Sequence, residues 1–255
     1  MQITEAPVHA SLAVQDLERA RQWYADKLGW EPTREAQGLL VYQVNRSDFT
    51  LFETPNAGTA KNTVMNWNCP DVSTEVARLR ANGVEFEDYD FGEYKTVDGI
   101  MADPDGGKAA WFKDSEGNIV GLTSSPQDPR PASLSPMLAA SDLDRAKGWY
   151  AEKLGFKPMF EQEGVIAGYP SGSTTFSVYK TDYARSAKNT VAAWRLKGLV
   201  DEVARLRERG VEFEEYDFGD GIATVAGILS DEDGPVNAWF RDSEGNSLVL
   251  IEDRD

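Results

Sequence analysis

At 255 residues, 41% hydrophobic and with a formal net charge of −17, the chain can bury more than one core and repels phosphate backbones, so no nucleic-acid partner is expected. Its longest apolar runs fall far short of a bilayer span, and the opening MQITEAPVHA lacks the basic and apolar regions of a signal peptide, so a cytoplasmic protein without a membrane partner is expected. The single cysteine, Cys69, excludes an intrachain disulfide and reads as a small buried hydrophobe.

In chain order, VHASLAV over Val8–Val14 alternates and predicts a strand. Asp16 then offers a carboxylate at a helix N-cap, Leu17, Ala20, Tyr24 and Leu28 recur at helical spacing, and Gly29 ends the helix. Strand patterns follow at 39–44 and 49–53 across the turn-forming NRSD, and the loop PNAG closes the half. A second half opens with a strand at 63–69. A helix follows, capped near Asp71 or Ser73, with Val72, Val76 and Leu79 on one face and Gly83 at its end. Residues 84–89 predict another strand, and 110–113 with 118–122 a hairpin across DSEGN, where Gly117 can take positive φ.

The same order then repeats. AKNTV occurs at 60–64 and 187–191, and VARLRANGVEFEDYDFG at 76–92 returns as VARLRERGVEFEEYDFG at 203–219. DLERARQWYADKLGW at 16–30 returns as DLDRAKGWYAEKLGF at 142–156, and AWFKDSEGN at 110–118 as AWFRDSEGN at 238–246. The expected organisation is a module over residues 1–125, a stiff linker over 126–133 carrying Pro126, Pro129 and Pro131, and a second module over 134–255. The fold class is α+β, each module being a pair of βαβββ units.

The run H-x-x-x-A-V-x-D-L-x-x-A from His9 to Ala20, then W-Y-x-x-x-L-G from Trp23 to Gly29 and W-F-x-D-x-E-G-N from Trp111 to Asn118, resembles the vicinal oxygen chelate superfamily of glyoxalases, bleomycin-resistance proteins and extradiol dioxygenases. The resemblance implies that each module forms a curved mixed sheet around a cavity. In metal-dependent members it also implies a divalent ion held by side chains on four strands. The matching positions here are His9, Glu53, Val64 and Gly121, and in the second module Ser135, Lys180, Val191 and Val249. Pairing the halves across modules adds no ligand, and His9 is the sole histidine. A carboxylate-only site completed by Asp98 or Asp103 is the one remaining route, so no metal and no cofactor are expected.

The resemblance and the missing ligands together point to a protein that binds a small, aromatic molecule in a metal-independent cavity. One alternative is a metal-free lyase, isomerase or tailoring enzyme in which His9 moves a proton and a hydrogen-bonded Glu53 orients it. Another is a metal-dependent glyoxalase or dioxygenase. Whether the chain is an enzyme stays open at this point. Strand alternation assigns Ser11, Ala13, Phe49, Leu51, Asn66 and Trp111 to the cavity of the first module, and Ser135, Lys180 and Trp239 to that of the second. Trp23, Trp149, Trp67 and Trp194 are assigned to packing. The expected partner is the small-molecule ligand alone, the chain being a monomer through contact between its own modules, or a weak homodimer.

Overall fold

The computed structural model describes residues 1–254 apart from Gln37, Phe91, Glu93, 126–132, Asp220 and 231–233. Most of the expected linker therefore lies outside the described residues. The chain separates into two compact units, one of residues 10–135 and one of residues 1–9 with 136–255.

The first unit, which takes β1 from Ala10 onward, runs β1 (Val8–Val14), α1 (Leu17–Trp23), β2 (Pro32–Ala36), β3 (Leu39–Val44), β4 (Ser47–Glu53), β5 (Thr63–Asn68), α2 (Val72–Ala81), β6 (Ile100–Ala102), β7 (Lys108–Lys113) and β8 (Ile119–Ser124). Strands lie side by side as β1-β4-β3-β2 and as β5-β8-β7-β6, with β1–β4 and β5–β8 parallel and the other pairs antiparallel. This is the doubled βαβββ arrangement. The second unit repeats it through β9 (Ser133–Ala140), α3 (Leu143–Trp149), β10 (Phe160–Gln162), β11 (Ile166–Ser171), β12 (Thr174–Lys180), β13 (Thr190–Arg195), α4 (Leu199–Glu208), β16 (Leu229–Ser230), β17 (Val236–Arg241) and β18 (Ser247–Glu252), with β14 (Asp217–Gly219) and β15 (Ile222–Ala223) forming a separate two-stranded sheet.

Local chemistry explains the helices. Asp16 and Asp71 accept from the backbone N–H of Arg19 and Thr74, satisfying donors that a helix start leaves open. After α1 the chain continues as a π-helical turn over Tyr24–Leu28, which buries Tyr24 and Leu28, and Gly29 closes it at φ 74°. The stretch at 84–89, expected to be a strand, meets β7 through the isolated bridge Phe86 to Phe112 and a bond from Glu87 N–H to the Trp111 carbonyl, and forms no named strand. Two short strands, β2 and β6, were not anticipated. Their polar or broken patterns, PTREA and IMA, carry little alternation to read.

The D-x-E-G-N motif is a scaffold. Asp114 accepts from the Tyr24 hydroxyl at 2.9 Å, from the Asn118 side chain at 2.9 Å and from two backbone N–H groups of its own turn. Burial pushes the Asp114 carboxyl up and the Tyr24 hydroxyl well up. Glu116 closes the hairpin onto α1 through the Arg19 guanidinium at 2.8 Å. Burial alone would raise its carboxyl, but the Arg19 hydrogen bonds and the Gln15 backbone N–H hold it below the ordinary value. Tyr150, Asp242, Asn246, Arg145 and Glu244 repeat the arrangement.

The opening residues belong to the core of the second unit. Ile3, Ala6 and Val8 are buried with Leu138, Tyr169, Phe176 and Trp194. Ile3 N–H donates to the buried Glu202 carboxylate at 2.7 Å, the Ser171 hydroxyl donates to the Ala6 carbonyl at 2.8 Å, and Val8 N–H donates to the Thr174 hydroxyl at 2.8 Å. Residues 1–9 therefore pack with the second unit, although they stand next to the first repeat in sequence.

Candidate functional site

Which face a side chain occupies follows from ladder register, because paired residues point the same way. In β1–β4, Ala10 pairs with Phe49, Ser11 with Thr50, Leu12 with Leu51, Ala13 with Phe52 and Val14 with Glu53. Phe49 stacks on Tyr42 at 4.8 Å between ring centroids and meets Tyr24 at 5.5 Å and Trp30 at 5.7 Å. It therefore lies under α1, on the helix side. Leu51 and Glu53 share that side. The open face, meaning the one away from α1, instead carries Ser11 and Ala13 with Thr50 and Phe52, the first three of them buried.

Four expectations are corrected, those for Phe49, Leu51, Glu53 and Lys180. Phe49 is a core residue and lines no ligand face. Glu53 does not meet His9, because it pairs with Val14, five residues further along β1, which places the two about 16 Å apart along the strand and on opposite faces. His9 is buried at 5% exposure and alternates with Ser11 on the open side. Lys180 is corrected in the same way. It pairs with Ala140 at the exposed end of β12, on the face opposite Ser135, Met137 and Ser177.

On the other half-sheet of the first unit, Asn66 and Trp111 do come together. Both pair with Gly121, Asn66 across β5–β8 and Trp111 across β7–β8. A Cβ at Gly121 would lie 3.0 Å from Asn66 Oδ1 and 3.3 Å from Trp111 Nε1, so the glycine leaves the space into which the amide and the indole lean. Asn66 Nδ2 donates to Thr123 Oγ1 at 2.8 Å, and Tyr89 meets Trp111 edge-on at 5.5 Å. The result is a half-buried platform with one indole, one phenol ring and an amide–hydroxyl pair. In the second unit Trp239 pairs with Val249, and its neighbours are Tyr216 at 5.6 Å and Phe218 at 5.8 Å. That platform is aromatic without the amide. Trp23, stacked on Phe112, and Trp67, against Trp30 at 4.9 Å, pack in the core as expected, as do Trp149 on Phe240 and Trp194 at 0% exposure.

The four strand positions do not fit a divalent ion. They carry one imidazole, a carboxylate on the other face, a valine that a bulge between Thr63 and Met65 takes out of the ladder, and a glycine. Among the described residues no three side chains of the His, Cys, Asp and Glu types converge, which also leaves Asp98 and Asp103 without a cluster. Cys69 is buried, and burial pushes its thiol up to about 11. No described helix is long and apolar enough to cross a membrane.

Sequence reasoning missed Thr50, Tyr89 and Thr123. Counting from Glu53 as a face residue displaced every assignment on β4 by one, and a one-residue slip moves a whole set to the other side. Tyr89 lies in the segment that is not a strand, where alternation carries no information.

A family profile described as Glyoxalase/Bleomycin resistance protein/Dioxygenase superfamily matches residues 6–122. The chain is 26% identical over 199 residues, 64% of this chain and 69% of the relative, to a Bacillus subtilis (strain 168) protein named catechol-2,3-dioxygenase. Among solved structures it is similar to a V278E mutant of Zea mays glyoxalase I, with TM-score 0.69, 15% identity and coverage of 98% of this chain and 92% of that one. Glyoxalase I from Zea mays without that mutation gives 0.63, 16%, 98% and 92%. At such identities these structures establish the fold alone.

Proposed function

We propose, from the match of residues 6–122 to the Glyoxalase/Bleomycin resistance protein/Dioxygenase superfamily profile, that the chain binds a small aromatic molecule without a metal, on the face of β5, β8 and β7 where Trp111, Tyr89, Asn66 and Thr123 meet. The observation that carries this reading is the platform itself. Gly121 stands where the resemblance places a ligand, and the space it leaves is taken by an indole and an amide. A flat ring stacked on Trp111 gains about 0.5–1.5 kcal/mol beyond burial, and the Asn66 amide fixes its orientation. The catechol-2,3-dioxygenase name of the Bacillus subtilis relative supports an aromatic ligand. A proton-transfer enzyme built on His9 and Glu53 finds less support, since the two do not face each other.

The test is tryptophan fluorescence of untagged, chelator-treated protein titrated with phenol, catechol and benzoate, alongside elemental analysis of protein purified without chelator. Quenching that is lost in Trp111→Phe, in protein free of metal, is the expected result. A stoichiometric transition metal that His9→Ala removes, with ligand binding that chelation abolishes, overturns the reading.

A further inference from the structure

One lateral row on the open face of the first unit differs from its repeat in the second, and the difference is chemical. In the first unit the ladders align Ser11 with Thr50, Thr50 with Val41 and Val41 with Arg34 across β1-β4-β3-β2. The next position of β2 points the other way, where Glu35 meets Arg21 of α1, so Arg34 stands on the side away from the helix. Thr50 is 4% exposed, and its hydroxyl has no hydrogen-bond partner among the described residues. Ser11, directly beside it, is 6% exposed. A buried hydroxyl without a partner costs about 1–3 kcal/mol unless something supplies one. Arg34 is exposed two strands from Thr50, about 10 Å away between backbones, and its long side chain can lie over the Val41 methyls toward it.

In the second unit the same row reads Met137, Ser177, Gly168, Phe160. A Cβ at Gly168 would come within 1.9 Å of the Phe160 ring, so that ring covers the glycine. The row is a thioether and a phenyl surface with one hydroxyl and no cation.

We propose that Ser11, Thr50 and Arg34 form an anion anchor in the first module, taking the carboxylate of a small organic acid, and that the second module lacks it. A carboxylate oxygen accepts from the buried hydroxyls while the guanidinium fork pairs the charge, a combination an uncharged amide cannot use in full. The proposal rests on the small-molecule reading above and goes beyond it, since the anchor lies on β1-β4-β3-β2 and the Trp111 platform on β5-β8-β7-β6, strands of a different sheet.

The experiment compares 4-fluorobenzoate with 4-fluorobenzamide by fluorine NMR titration of the full chain, in wild type, Thr50→Val and Arg34→Gln. Thr50→Val keeps the side-chain shape, and Arg34 is exposed, so both variants are expected to fold. The expected result is tighter binding of the benzoate, weakened about tenfold by each substitution, with the benzamide changed by about twofold or less in Arg34→Gln. Ser11→Met, which copies the second module, should weaken the benzoate as well. Equal affinity for the two probes, or benzoate binding indifferent to one or both of Thr50→Val and Arg34→Gln, overturns the anchor and leaves aromatic binding standing. Failure of both probes to bind wild type overturns both.

Discussion

Truncating Ile3 to alanine should destabilise the second unit, more than one hundred residues away in sequence, and spare the first. Ile3 is 0% exposed and packs in a core with Leu138, Tyr150, Tyr169 and Trp194, all from the second unit. Its N–H donates to Glu202, which is itself held by the Arg205 guanidinium at 2.7 Å, so the backbone stays anchored while the side chain is cut back. Isoleucine-to-alanine changes at fully buried sites cost about 2–5 kcal/mol through lost transfer energy and the cavity left behind. For a unit of this size the midpoint should fall by roughly 6–20 °C. Urea denaturation gives the total loss, and amide hydrogen exchange read by mass spectrometry locates it. Faster exchange should appear across 136–255, with 10–135 nearly unchanged. A loss below about 1 kcal/mol, or deprotection that begins in 10–135, refutes the assignment of the opening residues to the second core.

Other outcomes follow from the scaffold and the platform. Tyr150→Phe removes one of four donors to the buried Asp242 and should cost about 1–3 kcal/mol by urea denaturation, because the carboxylate keeps Asn246 and two backbone N–H groups. Glu116, held below its ordinary 4.5, contributes stability that is complete above that value and lost as pH falls through the lower folded-state value, since the unfolded chain takes up the proton first. Glu116→Gln should therefore lower the melting temperature at pH 7 and flatten its decline below about 4.5, while Asp114 and Asp242, raised by burial, act with the opposite sign in both proteins. Gly121→Val should fold, since Val249 occupies the repeat position, yet crowd Asn66 and Trp111 and remove the Trp111 fluorescence response to aromatic probes.

Much of the fold is legible in the sequence because its determinants are local. Asp16 and Asp71 cap helices, Gly29 and Gly83 end them at positive φ, and the 126- to 128-residue offsets repeat whole elements. The site is less legible. Asn66 and Trp111 were placed on one face, and the register joins them through Gly121. Phe49, Glu53 and Lys180 were placed on the open face because strand periodicity fixes two alternating sets without saying which set a helix will cover. Only the contact of Phe49 with Tyr24 and Tyr42 decides that.

The doubled βαβββ order, the capped helices and the single histidine are written into the chain, since they depend on residue type, spacing and count. The tertiary structure alone decided three further matters. It turned Glu53 away from His9, placed Ile3 in the second core, and aligned Arg34 with Ser11 and Thr50. Each depends on which strands pair and in what register, a property of contacts between residues far apart in the chain.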